Sequence, residues 1–578
     1  MSDYGSAIRA GTRAIPGVVV QLAGGLRPWI LPCLAIMAWT TPALGQSVRQ
    51  VAHSPNGMVV TAQPLATLAG TQMLERGGNA ADAAVAAAFA IAVVEPSMNS
   101  IGGRNQILIR LPDGRVSGID GTTQVPGGYD PARAPRAAFG YATVAVPGAL
   151  GGLIRLHEEH GSLPLPVVMA PAIEYAENGF RVLPGEALRQ AGALEDLANS
   201  EGGRSYFLKP DGTTYLAGER MIQTDLARTL RAIAAGGAQT FYRGEIADRI
   251  AADMAANGGL VTRESLAAYE AVSARVVRGD YRGYEIVGLD VPASGAIAIQ
   301  ALQIAEQFDP DTLGAETWAA VLAQAVGLAA SDRSTLGTDS AAARVTSTAW
   351  AVAKAARVRV RAPEDGRDSA AADRTLARSA DWLARDGHTT HLSTADTDGM
   401  MVALTQTIGP TMGARVATPG LGFLYAVSLG GYLGRIQPGE RVRSSITPLF
   451  VSRDGVPVMI LGAAGGGRII SAVVQTVSRM VDDGMSLPRA LAAPRVHPSG
   501  GGGSGNVEGF SVEAAPGDGW NEEEVAAFRA LGFNVQPLGR RGEFGRVHAI
   551  GFDPVAGVWL GAADPDWEGS AQGPAVRP

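Results

Sequence analysis

Cysteine is nearly absent from this sequence of 578 residues, because its only thiol is Cys33, which lies in an apolar run close to the N-terminus. A chain from which that region had been removed would contain no thiol at all. Such a chain forms no disulfide, binds no zinc through cysteine and uses no cysteine as a nucleophile. Any nucleophile in the rest of the chain must therefore be of another residue type.

The sequence also lacks an excess of positive charge. Its formal net charge is -7, and its pI is about 5.6. These values offer no electrostatic attraction to phosphate backbones or to anionic lipid. We therefore expect no nucleic-acid partner.

The N-terminal region lacks an apolar run long enough to span a bilayer, which takes roughly 20 residues. Its apolar run extends only from Trp29 to Trp39, follows several arginines and precedes the small residues Ala43 to Gly45. That order is typical of a secretory signal. We predict a signal peptide at residues 1–45 with cleavage near Gln46, no stable membrane anchor, and a periplasmic or secreted location. An N-terminal anchor is the alternative.

Cofactor motifs are missing as well. The glycine-rich stretch Gly462–Gly467 has neither the Lys-Ser/Thr ending of a phosphate loop nor the spacing of a dinucleotide site. The histidines His157 and His160 are three residues apart, whereas a metalloprotease helix needs them four apart on one face. We interpret the latter pair as part of a solvated helix end, and we expect neither a metal nor an organic cofactor.

Hydrophobic residues make up 46% of the chain, which is enough for a large core. Ala-rich stretches predict helices, and alternation around short turns predicts strands. The predicted helices are Leu65–Glu75 and Ala80–Val94, the predicted hairpins are Gln106–Ile119 and His391–Thr407, and further strands are expected at Val456–Leu461 and within His548–Leu560. Residues 145–335 are predicted to be mainly helical.

Residues 339–388 have a different composition from the rest, because Ala, Arg and Asp dominate and large apolar residues are few. We predict a flexible segment without a place in the core. A predicted strand follows this segment directly, starting at Thr389.

The junction at Thr389 suits one kind of chemistry. A threonine with a free α-amine can act as nucleophile and base together, because its hydroxyl attacks a carbonyl while the amine takes the proton. This chemistry requires a chain break immediately before the threonine. The glycines Gly462–Gly467 lie between a predicted strand and a predicted helix, where backbone N–H groups can bind an oxyanion. A purely structural tight turn is the alternative for these glycines.

A set of segments, taken together and in order, resembles the γ-glutamyltransferase family. The resemblance runs from about Gly57 to Gly569, and the ordered set is specific although each segment alone is unremarkable. The segments are Gly77–Ala86, Val94–Pro96, Ile101–Gly103, Ala145–Gly148, Tyr281–Tyr284, Thr389–His391, Ser444–Ser445, Gly465–Gly466 and Ala563–Pro565.

The resemblance implies a fold and a maturation step. The implied fold is α+β, a four-layer αββα sandwich of the N-terminal-nucleophile hydrolase type. The family is made as one proenzyme that cuts itself into two chains, and the matching bond here joins His388 to Thr389. The implied large chain is 46–388, with its flexible tail at 339–388, and the implied small catalytic chain is 389–578. We expect the two chains to stay associated.

The resemblance also implies roles for individual residues. Thr389 matches the nucleophile, and Thr407 matches a second threonine that hydrogen-bonds it. Gly465 and Gly466 match the backbone oxyanion hole. Ser444 and Ser445 match a pair that helps to hold the substrate carboxylate.

The substrate side departs from the family pattern. The family's carboxylate-binding arginine falls at Thr122, its asparagine after the second threonine falls at Gly409, and the residues expected to bind the α-amine are replaced by the apolar run Phe423–Leu429. We hypothesise that Arg104 supplies the missing guanidinium from another direction.

Three functions follow as hypotheses. The leading one is an N-terminal-threonine amide hydrolase or acyltransferase that acts on small γ-glutamyl amides such as glutathione. The second is an acylase for amides whose acyl group lacks the α-amine, which the apolar run Phe423–Leu429 favours. The third is a binding protein that never cleaves itself.

Overall fold

The structure, a computed structural model, describes residues 49–361, 388–430, 436–499, 507–539 and 543–575. The predicted signal peptide, the glycine-rich stretch at 500–505 and the larger part of the predicted flexible segment lie outside these residues. The strands are β1 Val51–Ser54, β2 Met58–Thr61, β3 Arg104–Arg110, β4 Val116–Gly121, β5 Phe180–Arg181, β6 Arg220–Met221, β7 Val272–Ser273, β8 Val276–Tyr281, β9 Tyr284–Leu289, β10 Thr390–Ala395, β11 Met401–Thr407, β12 Leu449–Arg453, β13 Val456–Ala464, β14 Val496–Ser499, β15 Gly509–Glu513, β16 Asn534–Leu538, β17 Arg546–Asp553, β18 Val558–Ala563 and β19 Ser570–Gln572.

The helices connect and cover these strands. They are α1 Pro64–Glu75, α2 Ala80–Val94, α3 Ala149–His160, α4 Leu165–Asn178, α5 Pro184–Gly192, α6 Leu194–Leu197, α7 Glu201–Phe207, α8 Thr224–Tyr242, α9 Glu245–Ala256, α10 Arg263–Ala267, α11 Gly295–Ala305, α12 Ala315–Ala330, α13 Asp339–Val345, α14 Thr348–Ala355, α15 Ile469–Val481, α16 Leu487–Ala492 and α17 Glu522–Ala530. No helix in these described ranges is long and apolar enough to cross a membrane.

Two seven-stranded sheets form the centre of the fold. The first sheet has the order β1-β18-β17-β13-β12-β9-β8, and the second has the order β19-β2-β10-β11-β3-β4-β7. Both sheets contain strands from before and from after residue 388, and the two groups pair where they meet: β18 with β1, β12 with β9, β10 with β2 and β11 with β3. The two halves of the chain therefore share both sheets.

The period-2 pattern of the strands separates the layers. On β3, Leu108 packs between the two sheets, whereas Ile107 and Ile109 belong to the core beneath the helices. On β13, Ile460 packs between the sheets and Leu461 faces the other helical core. Because successive side chains of a strand point to opposite faces, each sheet buries both faces. The result is the predicted four-layer αββα sandwich, with helices outside two stacked antiparallel sheets.

Several predicted elements are confirmed. The Ala-rich stretch Ala80–Val94 is α2, buried along its whole length, and it begins at a capping box in which Asn79 and Asp82 bind each other's backbone N–H groups. The hairpin predicted at Gln106–Ile119 is β3 and β4, and that at His391–Thr407 is β10 and β11. The mainly helical stretch at 145–335 also contains β8 and β9, which form one edge of the first sheet.

The prediction of a flexible segment at 339–388 is wrong for its first part and for its last residue. Residues 339–355 form α13 and α14, whose Val345 and Ala351 are buried in the core next to the first sheet. Small alanines fill this interface, so the composition understated its apolar contacts. The caps Thr338 and Ser347, which accept bonds from backbone N–H groups, were the sequence signal for these two helices.

Candidate functional site

The paired ends of β10 and β11 bring two threonines together. Thr390 is the first residue of β10 and lies opposite Gln406 on β11, so the next pair outward is Thr389 and Thr407. The Thr389 hydroxyl donates to the Thr407 hydroxyl oxygen at 3.1 Å, and the backbone N–H of Gly409 donates to the same oxygen at 3.0 Å. The two bonds fix the direction of the Thr389 hydroxyl.

The backbone just before Thr389 is held by the glycines that follow β13. The carbonyl oxygen of His388 accepts hydrogen bonds from the N–H groups of Gly465 at 2.9 Å and Gly466 at 3.3 Å. Both donors lie on the turn that leads into α15, where the helix dipole adds partial positive charge. The His388–Thr389 carbonyl thus occupies a two-donor site of the kind that stabilises an oxyanion.

The backbone is strained or close-packed on both sides of this contact. Thr389 has a φ of 95°, a conformation that is unfavourable for a β-branched residue. Gly465 has a φ of 140°, and a Cβ added there would lie 2.6 Å from the Cα of Gly545. Only glycine can therefore fill position 465 without displacing its neighbours.

A cavity of about 460 Å³ opens at this point. It brings together most of the predicted site residues, and its walls also contain residues that the sequence analysis did not select. Its lining consists of Arg104, Ala330, Ser331, Arg333, Ser334, His388, Thr389, Thr407, Arg443, Ser444, Ser445, Ile446, Gly466, Gly467 and Ile469. Gly465 is not among these lining residues, and its N–H group reaches the site through the hydrogen bond to the His388 carbonyl oxygen.

Two parts of this cavity differ in their construction. We call Thr389, Thr407, Gly465 and Gly466 the nucleophile side. We call Arg333, Arg443, Ser444 and Ser445 the arginine wall. Arg104 lies on the same cavity, on β3 beside Thr407, its partner on β11.

The charge around the cavity is positive. Three arginines line it, and none of its described lining residues is acidic. Burial, followed by the charges of Arg104 and Arg546, lowers the pKa of His388 to about 3, so the imidazole is neutral at neutral pH. Burial and the neighbouring Arg443 lower the pKa of Arg333 to about 10, which still leaves it charged.

Arg104 is almost fully buried and is held by the segment that follows Tyr425. Its Nη1 donates to the carbonyl oxygen of Val427 at 3.0 Å and to the hydroxyl of Ser428 at 3.2 Å. The Ser428 hydroxyl is also hydrogen-bonded to that of Thr123 at 2.9 Å. These contacts fix the guanidinium beside His388, the residue whose pKa it lowers.

The apolar run Phe423–Leu429 does not form an apolar wall of the cavity, so that part of the argument for the acylase is wrong. The ring of Phe423 packs against Phe241 and Tyr425 in the core beneath the helices. Thr122, at the position of the family's arginine, is also buried, and its hydroxyl donates to the Val442 carbonyl oxygen at 3.3 Å. The run contacts the site through the Val427 carbonyl and the Ser428 hydroxyl, which hold Arg104.

The sequence analysis missed Arg333 and Arg443. Arg333 follows the end of α12 in a short turn, where no local motif marks it. Arg443 could have been selected, because it directly precedes the serine pair Ser444 and Ser445. The histidines His157 and His160 lie at the end of α3, where His157 Nε2 is hydrogen-bonded to the Leu163 carbonyl oxygen. Within the described ranges no group of three or more His, Cys, Asp or Glu could hold a metal ion.

Comparisons with known proteins agree with this geometry. The family model described as gamma-glutamyltranspeptidase matches residues 66–573. The chain is 37% identical over 482 residues to the Acylase ACY 1 proenzyme of Pseudomonas sp. (strain V22), covering 78% of this chain and 84% of that protein. It is 33% identical over 486 residues to the glutathione hydrolase proenzyme of Escherichia coli (strain K12), covering 77% of this chain and 81% of that protein.

A solved structure gives the same answer. The cephalosporin acylase from Bacillus halodurans superposes with a TM-score of 0.80 at 28% identity, over 92% of this chain and 98% of that one. Family model, relatives and fold agree over nearly the whole described chain. The protein therefore belongs to the γ-glutamyltranspeptidase family and is an N-terminal-nucleophile hydrolase of that family.

Proposed function

We propose that the chain cuts itself between His388 and Thr389 and then works as an N-terminal-threonine acylase on small amides. The observation that carries this proposal is the position of the His388 carbonyl oxygen, 2.9 Å from the N–H nitrogen of Gly465 and 3.3 Å from that of Gly466. The uncut chain holds its own peptide bond where a substrate amide would lie.

In the cleavage step, the Thr389 hydroxyl oxygen attacks the carbonyl carbon of His388. The negative charge that develops on the carbonyl oxygen is stabilised by the two glycine N–H groups, each worth roughly 3 kcal/mol in comparable sites. The C–N bond then breaks, and the Thr389 nitrogen leaves as an amine with the proton from the hydroxyl. Water hydrolyses the resulting ester, which frees the His388 carboxylate and restores the hydroxyl. Release of the strained φ at Thr389, about 1 to 3 kcal/mol, favours this direction.

The products have the parts that amide hydrolysis needs. Thr389 gains a free α-amine that takes the proton from its own hydroxyl during attack and gives it to the leaving amine. The large chain 46–388 and the small chain 389–578 remain associated, because strands of both share two sheets. The signal-peptide pattern of residues 1–45 supports export of the uncut chain, which contains both the large and the small chain.

The charge around the acyl position supports an acyl group without an α-ammonium. Since the His388 carbonyl represents the substrate carbonyl, the His388 side chain marks the beginning of the acyl group. Arg104 places a positive charge next to it, and the described cavity lining offers no carboxylate to pair with an ammonium. The α-ammonium of a γ-glutamyl group stands on the carbon that carries its carboxylate. In a cavity that is lined, within the described residues, by three arginines and no acidic residue, such an unpaired ammonium is disfavoured by repulsion and by desolvation. A relative that is named an acylase proenzyme supports acylase activity in general.

Transfer or hydrolysis of γ-glutamyl groups is the second candidate. Its support is the pair Ser444 and Ser445, which line the cavity, together with the relative named as a glutathione hydrolase. Comparing hydrolysis of γ-glutamyl and glutaryl p-nitroanilide separates the two candidates, because the two substrates differ only in the α-amine.

The experiment that tests the proposal is the intact mass of the purified protein, with and without Thr389→Ala. We expect two fragments in the wild type, the smaller beginning at Thr389, and one chain in the variant. Thr389→Ser is the matched control, since it keeps a hydroxyl and should still cleave. A single uncut chain in the wild type contradicts the proposal and leaves the third hypothesis, a binding protein.

A further inference from the structure

We infer that Lys354 is a positioning residue of the cavity, which holds the end of α12 and the turn after it and so keeps Ser331 and Arg333 in place for an incoming substrate. The inference rests on the proposed function, because it concerns how the same cavity binds an external amide.

Lysine is rare in this chain, and Lys354 is the buried one. Of the 48 lysine and arginine residues only two are lysines, Lys209 and Lys354. Lys354 is 8% exposed and lies on α14, in the stretch 339–388 whose composition predicted a flexible segment. A buried ammonium needs acceptors for its three N–H groups, so its surroundings show what it holds.

The acceptors come from the C-terminal end of α12. Lys354 Nζ donates to the Leu328 carbonyl oxygen at 3.2 Å, to the Ser331 hydroxyl oxygen at 2.9 Å and to Asp332 Oδ2 at 3.0 Å. The Leu328 carbonyl belongs to the last turn of the helix, where carbonyls have no backbone partner within the helix and attract a cation. Three acceptors around one point suit a compact ammonium better than the planar fork of an arginine.

Further bonds tie the same turn to the neighbouring helices. Asp332 Oδ2 also accepts from Gln300 Nε2 on α11 and from Trp350 Nε1 on α14, both at 2.7 Å. The Ser331 hydroxyl donates to the Leu328 carbonyl oxygen at 2.7 Å. Lys354 therefore completes a buried network in which α11, α12 and α14 meet.

The turn held by this network is part of the cavity wall. Ser331, Arg333 and Ser334 line the cavity, whereas Asp332 and Lys354 are not among its described lining residues. Lys354 thus acts through the wall. The nucleophile side comes from other elements, namely the ends of β10 and β11 and the turn after β13. Loss of Lys354 should weaken the binding of a substrate and leave the reacting groups in place.

The test compares self-cleavage with hydrolysis of an added amide. Self-cleavage is intramolecular, so the bond to be cut lies at the oxyanion site without a binding step. An added amide must first be bound by the wall. The rate of self-cleavage is measured by intact mass, and kcat and KM are measured with whichever of glutaryl and γ-glutamyl p-nitroanilide the wild type hydrolyses faster.

The main variant is Asp332→Asn/Lys354→Met, which removes both charges and so leaves no buried charge without its partner. We expect KM to rise about three- to tenfold, with kcat and the rate of self-cleavage within about twofold of the wild type. Lys354→Arg keeps the charge but not the three bonds and should lie between the two. Trp350→Phe removes only a bond to Asp332, and its KM should rise about two- to threefold.

Lys209→Met is the matched control. Lys209 is the other lysine, it is paired with Glu219 at 3.2 Å, and it is not among the described lining residues of the cavity. It should leave KM, kcat and self-cleavage unchanged. An unchanged KM in the double variant overturns the inference, and so does an equal slowing of self-cleavage and hydrolysis, which is the mark of a general structural defect.

Acetylation of lysines, mapped by mass spectrometry, keeps the two proposals apart because it needs no activity. In the wild type and in the uncut Thr389→Ala chain, Lys354 should react at least about tenfold more slowly than Lys209, since its N–H groups are bound. Ser331→Ala should reduce this difference. If the wild type stays uncut and hydrolyses neither anilide, the proposed function fails, and the acetylation rates still decide the inference. Equal rates for the two lysines overturn it.

Discussion

The nucleophile side and the arginine wall meet in one cavity but are built from different kinds of atoms. On the nucleophile side, backbone N–H groups and one threonine hydroxyl fix the His388 carbonyl and Thr389. On the arginine wall, flexible side chains carry the charge, and backbone carbonyls only orient them. Backbone donors cannot be exchanged by mutation, whereas guanidinium groups can. The comparison suggests that the reaction is fixed by the fold and that the substrate is chosen by replaceable side chains.

The largest effect is expected for Gly465→Ala. The substitution places a Cβ 2.6 Å from the Gly545 Cα at a φ of 140°, so the turn has to move and the N–H groups leave the His388 carbonyl. Self-cleavage should slow by about 10²- to 10³-fold, as measured by mass spectrometry over time. Gly467→Ala is the control, because an added Cβ there has nothing within 4 Å. Equal effects of both variants would contradict the oxyanion role.

Thr407→Val should have the next largest effect. It removes the oxygen that accepts from the Thr389 hydroxyl and from the Gly409 N–H, while it keeps the shape of the side chain. We expect cleavage to slow by about ten- to a hundredfold, and Thr407→Ser should cleave nearly normally. Normal cleavage of the valine variant would show that Thr389 is oriented by other groups.

Arg104→Ala tests the residue that lines the cavity in addition to the nucleophile side and the arginine wall. If its charge disfavours an α-ammonium, its removal should shift the ratio of kcat/KM for γ-glutamyl over glutaryl p-nitroanilide upward by about tenfold. We also expect a higher KM for the glutaryl substrate, because a positive charge is lost from the cavity. Arg104→Lys retains the charge and should keep both values close to the wild type. An unchanged ratio together with unchanged KM values for Arg104→Ala would exclude Arg104 from substrate recognition.

The smallest expected effect is on the pH dependence of the free energy of unfolding, and it comes from two buried histidines, His391 and His548. Burial lowers the pKa of His548 to about 3 and that of His391 well below its usual range. Both are neutral in the folded protein, whereas the unfolded chain protonates them below about pH 6.5. Their contribution to stability is therefore complete above that pH and is lost as the pH falls below it, by at most about 1.4 kcal/mol per pH unit for each histidine. For His548 the loss continues down to its folded-state pKa of about 3.

This pH dependence can be measured by urea unfolding between pH 7.5 and 5 in the uncut Thr389→Ala chain. His548→Gln should make the loss of stability with falling pH less steep by about one proton. The exposed His53 provides the control, since His53→Gln should leave the slope unchanged. A slope that is the same in the His548 variant and in the parent would contradict the assignment.

The sequence predicted the helices and strands that are marked by a local repeat of hydrophobic residues. Strands β10 and β11 alternate around a turn at Asp396–Gly399, and α2 is a continuous run of Ala and Val, so neither needed tertiary information. The ordered motifs then selected Thr389, Thr407 and the two glycines. The sequence did not predict α13 and α14, because alanine-rich surfaces give no strong stripe, although their caps were visible.

Tertiary packing decided the rest. The hydrophobicity of Phe423–Leu429 is the same whether the run lines a cavity or a core, and only the position of Phe241 assigns it to the core. Arg333 belongs to the arginine wall because the end of α12 lies next to the Ser444 carbonyl, more than a hundred residues away in sequence. A contact between residues so far apart in the sequence leaves no pattern in the neighbouring residues from which it could be predicted.

Both halves of the chain contribute strands to both sheets, and this has a consequence for how long the protein would last once the proposed cleavage has taken place. An uncut chain would refold as one molecule, whereas the two chains produced by the proposed cleavage would have to meet by diffusion before β10 and β11 could lie again between β2 and β3. Thermal unfolding would then be practically irreversible. The working lifetime of the cut protein would be set by the rate at which the sheets open, which is a kinetic barrier, rather than by an equilibrium between folded and unfolded forms.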